Sequence, residues 1–304
     1  MVSCLKRKTK IALVAIFCSI LWGSAFPVLK ISYSEMGIES DTFAKILLAG
    51  IRFFIAAIII LIILKIFIKE PLSVNKKDIG KLTILGFLQT AGYYFFFYIG
   101  LSNTSSMKGA ILSSLENFLV VILAHYIYKN DKINNGKIIG LVLGFVGIIF
   151  ANWGKQFNFD FRIDGEGFMI LATFFGAFAT ILCKKLCSTI SPFVASAYQM
   201  IIGSLMLIII GIVFKGYSNM HFNSISFWLL IYSAILSSLA FSLWFRILKD
   251  NKAGEIVMYK FIIPISGVIL SAIFIKGESM NLNIIISLVL VSLGVYIVNK
   301  TSKN

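Results

Sequence analysis

Tyr128 to Asn152 reads YKNDKINNGKIIGLVLGFVGIIFAN, and Ile275 to Asn299 reads IKGESMNLNIIISLVLVSLGVYIVN. Laid over one another at an offset of 147 residues, the stretches share Lys129/Lys276, Asn134/Asn281, Gly147/Gly294 and Asn152/Asn299. Each has a short charged start followed by an almost wholly apolar run. Two copies of one hydrophobic unit predict a duplicated membrane protein, an architecture used by many solute carriers.

The rest of the chain has the same character. Hydrophobic residues make up 59% of 304 positions, there are 28 Phe and four Pro, and mean hydropathy is +0.93. Charged residues make up 13%, where a soluble globule carries near a quarter, so lipid is the solvent for most of this chain. The net charge of +15 is spread through short breaks between apolar runs. A nucleic-acid partner would need a basic face on a folded domain, so none is expected.

Apolar runs long enough to cross a bilayer, about 17 to 25 residues, recur ten times. They fall near 11–29, 43–64, 82–101, 109–128, 138–153, 167–183, 192–214, 225–245, 255–275 and 282–298. The runs are continuously apolar and do not alternate with period two, so helices are predicted over a barrel. The expected fold is all-α and integral to the membrane, with residues 1–153 as the first repeat and 154–304 as the second. The first run follows Lys6, Arg7, Lys8 and Lys10. It is too long for a signal-peptide core, and Pro27 and Lys30 stand where a small-residue cleavage site would be, so it reads as a retained helix. Cys183 and Cys187 lie one turn apart, with no His or carboxylate beside them in sequence. They read as packing residues, and neither metal nor cofactor is expected.

If the first residues are cytoplasmic, nineteen Lys and Arg fall on the inner side and seven on the outer: Lys30, Lys45, Lys108, Lys155, Arg162, Lys215 and Lys276. That asymmetry is the positive-inside bias, and one helix too many or too few would scramble it. A multi-pass protein of the cytoplasmic membrane with both termini inside is the expectation. Five helices per repeat is an odd number, so the second copy enters from the opposite side and the repeats are inverted.

Several motifs carry a resemblance. They are Trp22-Gly23-Ser24-Ala25-Phe26 in helix 1, Leu48 to Phe54 (LAGIRFF) in helix 2, Leu243 to Lys249 (LWFRILK) closing helix 8, and Lys276-Gly277-Glu278 before helix 10. In order, spacing and duplication the chain resembles the EamA-type branch of the drug/metabolite transporter superfamily. The resemblance implies ten helices and a central cavity lined chiefly by helices 3, 4, 8 and 9 with contributions from 1 and 6, with helices 5 and 10 peripheral. It also implies movement of a metabolite, amino acid, nucleotide derivative or toxic compound without ATP, with export favoured. The chain departs from the pattern in carrying Asn117 where the family often has Pro in helix 4, while helix 9 keeps Pro264. The Trp-Gly of helix 1 becomes Phe175-Gly176 in helix 6, and the Gly-Glu pair becomes Asn130-Asp131 before helix 5.

Three charged residues lie well inside predicted helices: Arg52, Glu116 and Lys260. A charge at mid-bilayer costs on the order of 3 kcal/mol on insertion scales, so each should face a partner or a polar interior. The 147-residue offset maps Ser113 onto Lys260 and Glu116 onto Ile263, which puts the two opposite charges on neighbouring turns of equivalent helices. They read as a pair exchanged during transport, as a static ion pair, or as a Lys260 that snorkels to the interface. A carboxylate in a low-dielectric cavity takes up a proton more readily and an ammonium opposes that, which makes Glu116 the candidate proton-coupling residue. Arg52 matches Gln199 in the second repeat, and polar residues at symmetric positions more often pin helices than bind ligand.

Helix 3 holds Tyr93, Tyr94, Phe95, Phe96, Phe97 and Tyr98 in succession. Tyr94 and Tyr98 with Trp244 and Tyr259 form a candidate aromatic cavity for apolar, aromatic or cationic solutes, against the alternative of packing or an interfacial belt. Ser24, Ser113, Ser114, Asn117, Ser237 and Ser238 add neutral polar groups. Trp22, Pro27 and Pro264 are candidates for structure or gating, since a mid-helix Pro frees a carbonyl. Gly140 and Gly144 suggest tight packing or a weak homodimer.

No phosphate-cradling G-x-x-x-x-G-K-[ST] motif is present, and the two histidines, His125 and His221, lie far apart in sequence, so neither an ATP-driven pump nor an enzyme is expected. A secondary carrier of a small organic solute working by alternating access is the leading expectation. A nutrient uptake carrier of the same fold and a structural or sensory membrane subunit are the alternatives.

Overall fold

The structure, a computed structural model, describes residues 2–69, 71–104, 106–151, 160–275 and 282–301. The Lys276-Gly277-Glu278 motif, Asn152, Asn281, Lys155 and Lys303 lie outside the described residues. Ten helices run through the described chain: α1 (Val2–Met36), α2 (Thr42–Ile68), α3 (Lys76–Ser102), α4 (Ser106–Ile127), α5 (Asn135–Ala151), α6 (Ile163–Leu186), α7 (Pro192–Val213), α8 (Ser224–Asp250), α9 (Ala253–Phe274) and α10 (Leu282–Thr301). Nine of them are apolar over at least 18 residues, and α5, at 17, is at the lower end of what spans a bilayer.

The helix ends are written in the sequence. Asp41 caps α2 by accepting from the Ala44 N–H at 2.9 Å, and Asn223 and Ser226 form a reciprocal capping box at the start of α8. Pro192 opens α7, where its missing N–H costs nothing. Gly37, at φ +69°, ends α1 in the left-handed conformation that only glycine adopts freely. Several helices exceed the apolar runs. For example, α1 continues to Met36 and α3 starts at Lys76, because polar turns outside the apolar stretch extend the same hydrogen-bond ladder.

Successive helices alternate in direction, as contacts between connections show. At one end the α4–α5 connection meets the start of α9 through Asp131 and Gly254, and Lys184 at the end of α6 donates to the Leu248 carbonyl at the end of α8. Tyr128, between α4 and α5, donates to the Ile181 carbonyl at 3.0 Å, and burial pushes its phenol up to about 12. At the opposite end Glu35 in the last turn of α1 accepts from Asn223 before α8, and Lys108 at the start of α4 reaches Glu166 at the start of α6. The first half therefore begins at one end and the second half at the other, which makes the repeats inverted.

Packing has the same symmetry. α1 packs on α8 and α9, and its counterpart α6 packs on α3 and α4. α2 pairs with α7, and α5 with α10, so exchanging the halves leaves the arrangement unchanged. Glycines set the close crossings. A Cβ on Gly140 would sit 3.1 Å from the Gly294 carbonyl oxygen, and one on Gly294 would sit 3.0 Å from that of Gly140. Gly144 faces Phe261 of α9, so both glycines of the G-x-x-x-G face helices of their own chain. Cys183 and Cys187 lie buried with sulfurs 3.8 Å apart and unbridged.

Candidate functional site

Glu116 falls at the middle of α4, and Lys260 lies where α9 is irregular. The first turn of α9, Ala253–Ile256, gives way to a 3-10 stretch at Val257–Phe261 before the α-helix resumes at Ile262. Pro264 has no N–H to offer the Lys260 carbonyl four residues back, so the backbone is locally loosened at the charged residue itself. Lys260 Nζ donates to Glu116 Oε1 at 2.6 Å, joining the two halves of the molecule. The side chains are 14% and 8% exposed, so Lys260 is paired inside the bundle and does not reach for the interface.

α6 passes directly over the carboxylate. A Cβ on Gly176 would stand 2.8 Å from Glu116 Cδ and 2.9 Å from its Oε2, with Tyr93 Cε2 at 3.0 Å. The symmetric crossing of α1 over α9 uses Gly23, where a Cβ would stand 2.9 Å from the Ile263 carbonyl oxygen. Ile263 is the residue that the repeat aligns with Glu116. One helix crossing thus holds an apolar residue in one half and a carboxylate in the other.

Aromatic side chains surround the pair. Lys260 Nζ lies 5.6 Å from the centre of the Trp244 ring, and Trp22 meets Trp244 edge-on at 5.1 Å and Phe241 at 5.2 Å. The wall continues through Phe53, 6.0 Å from Phe241, to Tyr94 at 4.7 Å from Phe53. Tyr94 in turn meets Tyr93 at 5.1 Å and Tyr98 at 6.0 Å. α3 widens by a π-turn over Phe87–Gly92 just before this run, which turns Tyr93 and Tyr94 inward and leaves Phe95 against Phe96, and Phe96 against Phe168 and Phe175.

Most of the residues singled out in the sequence converge here, with exceptions. Tyr259 is turned away. Its hydroxyl accepts from Asn299 Nδ2 at 2.8 Å and its carbonyl from Ser19, so it ties α9 to α10 and α1. Ser113, Ser114, Ser237 and Ser238 each donate to a carbonyl one turn back in their own helix, while Asn117 is buried beside Glu116. Ser24 also reaches the Tyr232 hydroxyl at 2.8 Å. Gln199 accepts from Thr90 Oγ1 at 2.7 Å and pins α7 to α3. Arg52, its counterpart, lies against the rings of Phe53 and Tyr94. Pro27 sits inside α1, four residues after the Gly23 crossing.

Sequence reasoning missed Gly176, Tyr93, Phe53 and Phe241 as parts of the site. It also placed Lys108 and Lys137 among loop charges, whereas both are buried. Lys137 pairs with Asp131, whose other oxygen accepts from the Gly254 N–H at 3.0 Å, and Lys108 pairs with Glu166 at 2.8 Å. One such pair lies at each end of the bundle.

Fold and site together define a multi-pass membrane protein of two inverted repeats around an internal ion pair. The EamA-like transporter family model matches residues 9–153 and 164–300, and the chain belongs to that family of membrane transporters. Among relatives, the uncharacterized transporter YoaV of Bacillus subtilis (strain 168) is 24% identical over 94% of this chain and 96% of its own length. An uncharacterized transporter of Archaeoglobus fulgidus is 26% identical over 91% of this chain and 94% of its own. A crystal structure superposes with a TM-score of 0.80 at 14% identity, covering 95% of this chain and 98% of that one, a likeness of fold.

Proposed function

We propose that the chain is a secondary carrier that moves a small organic solute across the cytoplasmic membrane by alternating access, with Glu116 and Lys260 as the pair that opens and re-forms. The observation that carries this reading is the 2.6 Å bond between α4 of one half and α9 of the other, boxed by aromatic rings. Inverted halves supply two equivalent packings, one open to each side. A buried ion pair that bridges them closes the path in one state. Solute polar groups, or a proton on Glu116, then replace one partner so that neither charge is left bare. Tyr94, Tyr98, Trp22 and Trp244 give an organic solute flat faces to stack on.

The Lys and Arg asymmetry supports cytoplasmic termini. Export is the direction that the family resemblance favours, and the solute gradient drives it. The test is counterflow into proteoliposomes with amino acids, amines and organic acids, with and without a pH gradient. Accumulation of labelled solute only in vesicles preloaded with the same solute is expected. Glu116→Gln should still fold, at the lowered stability expected for an unpaired Lys260, and the residual exchange it keeps should not respond to the pH gradient. Absence of exchange for every class would reject the carrier in favour of a structural or sensory role, and unchanged pH response in Glu116→Gln would reject proton coupling through this residue.

A further inference from the structure

Among the described residues Arg52 is a buried cation with no carboxylate beside it. Its side chain is 4% exposed, and its guanidinium carbon lies 4.3 Å from the Phe53 ring centre and 5.8 Å from that of Tyr94. Its Nε is buried with no hydrogen-bond partner, Tyr94 is a side-chain hydrogen-bonding neighbour of its guanidinium, and among the described residues no carboxylate pairs with it. A second donor in the same cluster shares this condition. The Tyr33 hydroxyl is buried and makes no hydrogen bond of good geometry; Tyr98 is its side-chain hydrogen-bonding neighbour, with Tyr94 and Arg52 in the same electrostatic cluster.

Among the described residues the charges of the interior do not balance without an added anion. Lys260 is neutralised by Glu116, and the buried pairs Lys137–Asp131 and Lys108–Glu166 cancel near the two ends. Arg52 is left as uncompensated positive charge at the middle of α2, a placement that costs several kcal/mol with nothing bound. The second half shows how a neutral residue serves at the equivalent position, since Gln199 pins α7 to α3 through Thr90. A guanidinium is unnecessary for pinning, and this one holds no helix by an ion pair.

We infer that Arg52, with the Tyr33 hydroxyl, is a carboxylate-recognising subsite, and that the solute carried is an organic carboxylate whose apolar or aromatic body lies against Tyr94 and Phe53. The inference rests on the carrier reading above and names its substrate class. The planar guanidinium fork matches a carboxylate with two parallel hydrogen bonds, which an ammonium does not reproduce. A buried phenol O–H supplies one further donor, and the aromatic rings hold the body while excluding water.

The test uses the full chain purified in detergent and thermal unfolding with phenylacetate and 3-phenylpropionate, against phenethylamine, which has the same ring and the opposite charge. The carboxylates should raise Tm and the amine should not. Arg52→Lys, which keeps the charge and loses the fork, should weaken carboxylate binding about tenfold or more. Arg52→Gln should abolish it, Tyr33→Phe should weaken it severalfold, and Lys65→Gln on the exposed end of α2 should leave it unchanged. No Tm shift with either carboxylate, or equal shifts in wild type and Arg52→Gln, overturns the subsite, as does stabilisation by the amine alone. The wild-type comparison stands even if a variant misfolds. Carboxylate binding without counterflow would sink the carrier and leave the subsite, whereas amine counterflow without carboxylate binding would do the reverse.

Discussion

Gly176 on α6 lies against Glu116 on α4 so closely that a single methyl group would come within 2.8 Å of the carboxyl carbon. The atom that must give way is the far end of a flexible side chain, so the fold can absorb the change. The bond to Lys260 cannot, because the carboxylate is displaced. Gly176→Ala should therefore keep a near wild-type Tm while exchange in proteoliposomes falls about tenfold or more. Loss of folding and exchange in equal measure would make Gly176 a packing residue alone.

The Glu116–Lys260 pair itself separates stability from transport. Glu116→Gln leaves an ammonium unpaired in the bundle and should cost about 3–5 kcal/mol, as should Lys260→Met for the carboxylate. The double variant removes both charges and should recover most of the stability without recovering exchange. Thermal unfolding and counterflow on the four proteins form the cycle, and recovery of both would reduce the pair to a structural clip.

Glycines of α3 give a contrast within one helix. A Cβ on Gly86 would stand 2.6 Å from the Gln199 carbonyl oxygen, which is backbone and cannot swing aside, so Gly86→Ala should lower Tm sharply. Gly80 has nothing within 4 Å, and Gly80→Ala should raise stability by about 0.5–1 kcal/mol through helix propensity. Equal effects at the two sites would contradict the α3–α7 crossing.

Orientation follows from exposed serines on a cysteine-free background. Ser73→Cys and Ser188→Cys lie at the end that carries the termini, and Ser40→Cys and Ser218→Cys at the other. In intact cells an impermeant thiol reagent should modify only Ser40→Cys and Ser218→Cys. Labelling of all four, or of the opposite pair, would reverse or break the assignment.

The spans and their inversion were legible because lipid imposes long apolar runs and places basic residues on one side. Glu116 and Lys260 were legible as partners because two opposite charges in equivalent helices have few ways to avoid the cost of lipid. Side-chain direction was not legible. Six aromatics in a row cover every face of α3, and only the π-turn before them decides that Tyr94 looks inward while Phe96 packs on α6. Tyr259 sits one residue from Lys260, a rotation of about 100° around an ideal helix, which sends it to α10. The pairs Lys137–Asp131 and Lys108–Glu166 lie beyond the apolar runs, where sequence alone cannot separate a solvated charge from one folded under a neighbouring helix.

The central claim is that the Glu116–Lys260 region opens to each side in turn, and Asn117, buried next to Glu116, reports on it most directly. Asn117→Cys, with Cys4, Cys18, Cys183 and Cys187 replaced, is placed in vesicles of defined orientation and treated with an impermeant thiol reagent from one side at a time. The account predicts modification from both sides, slowed by transported solute. Modification from one side only, or from neither, would contradict it.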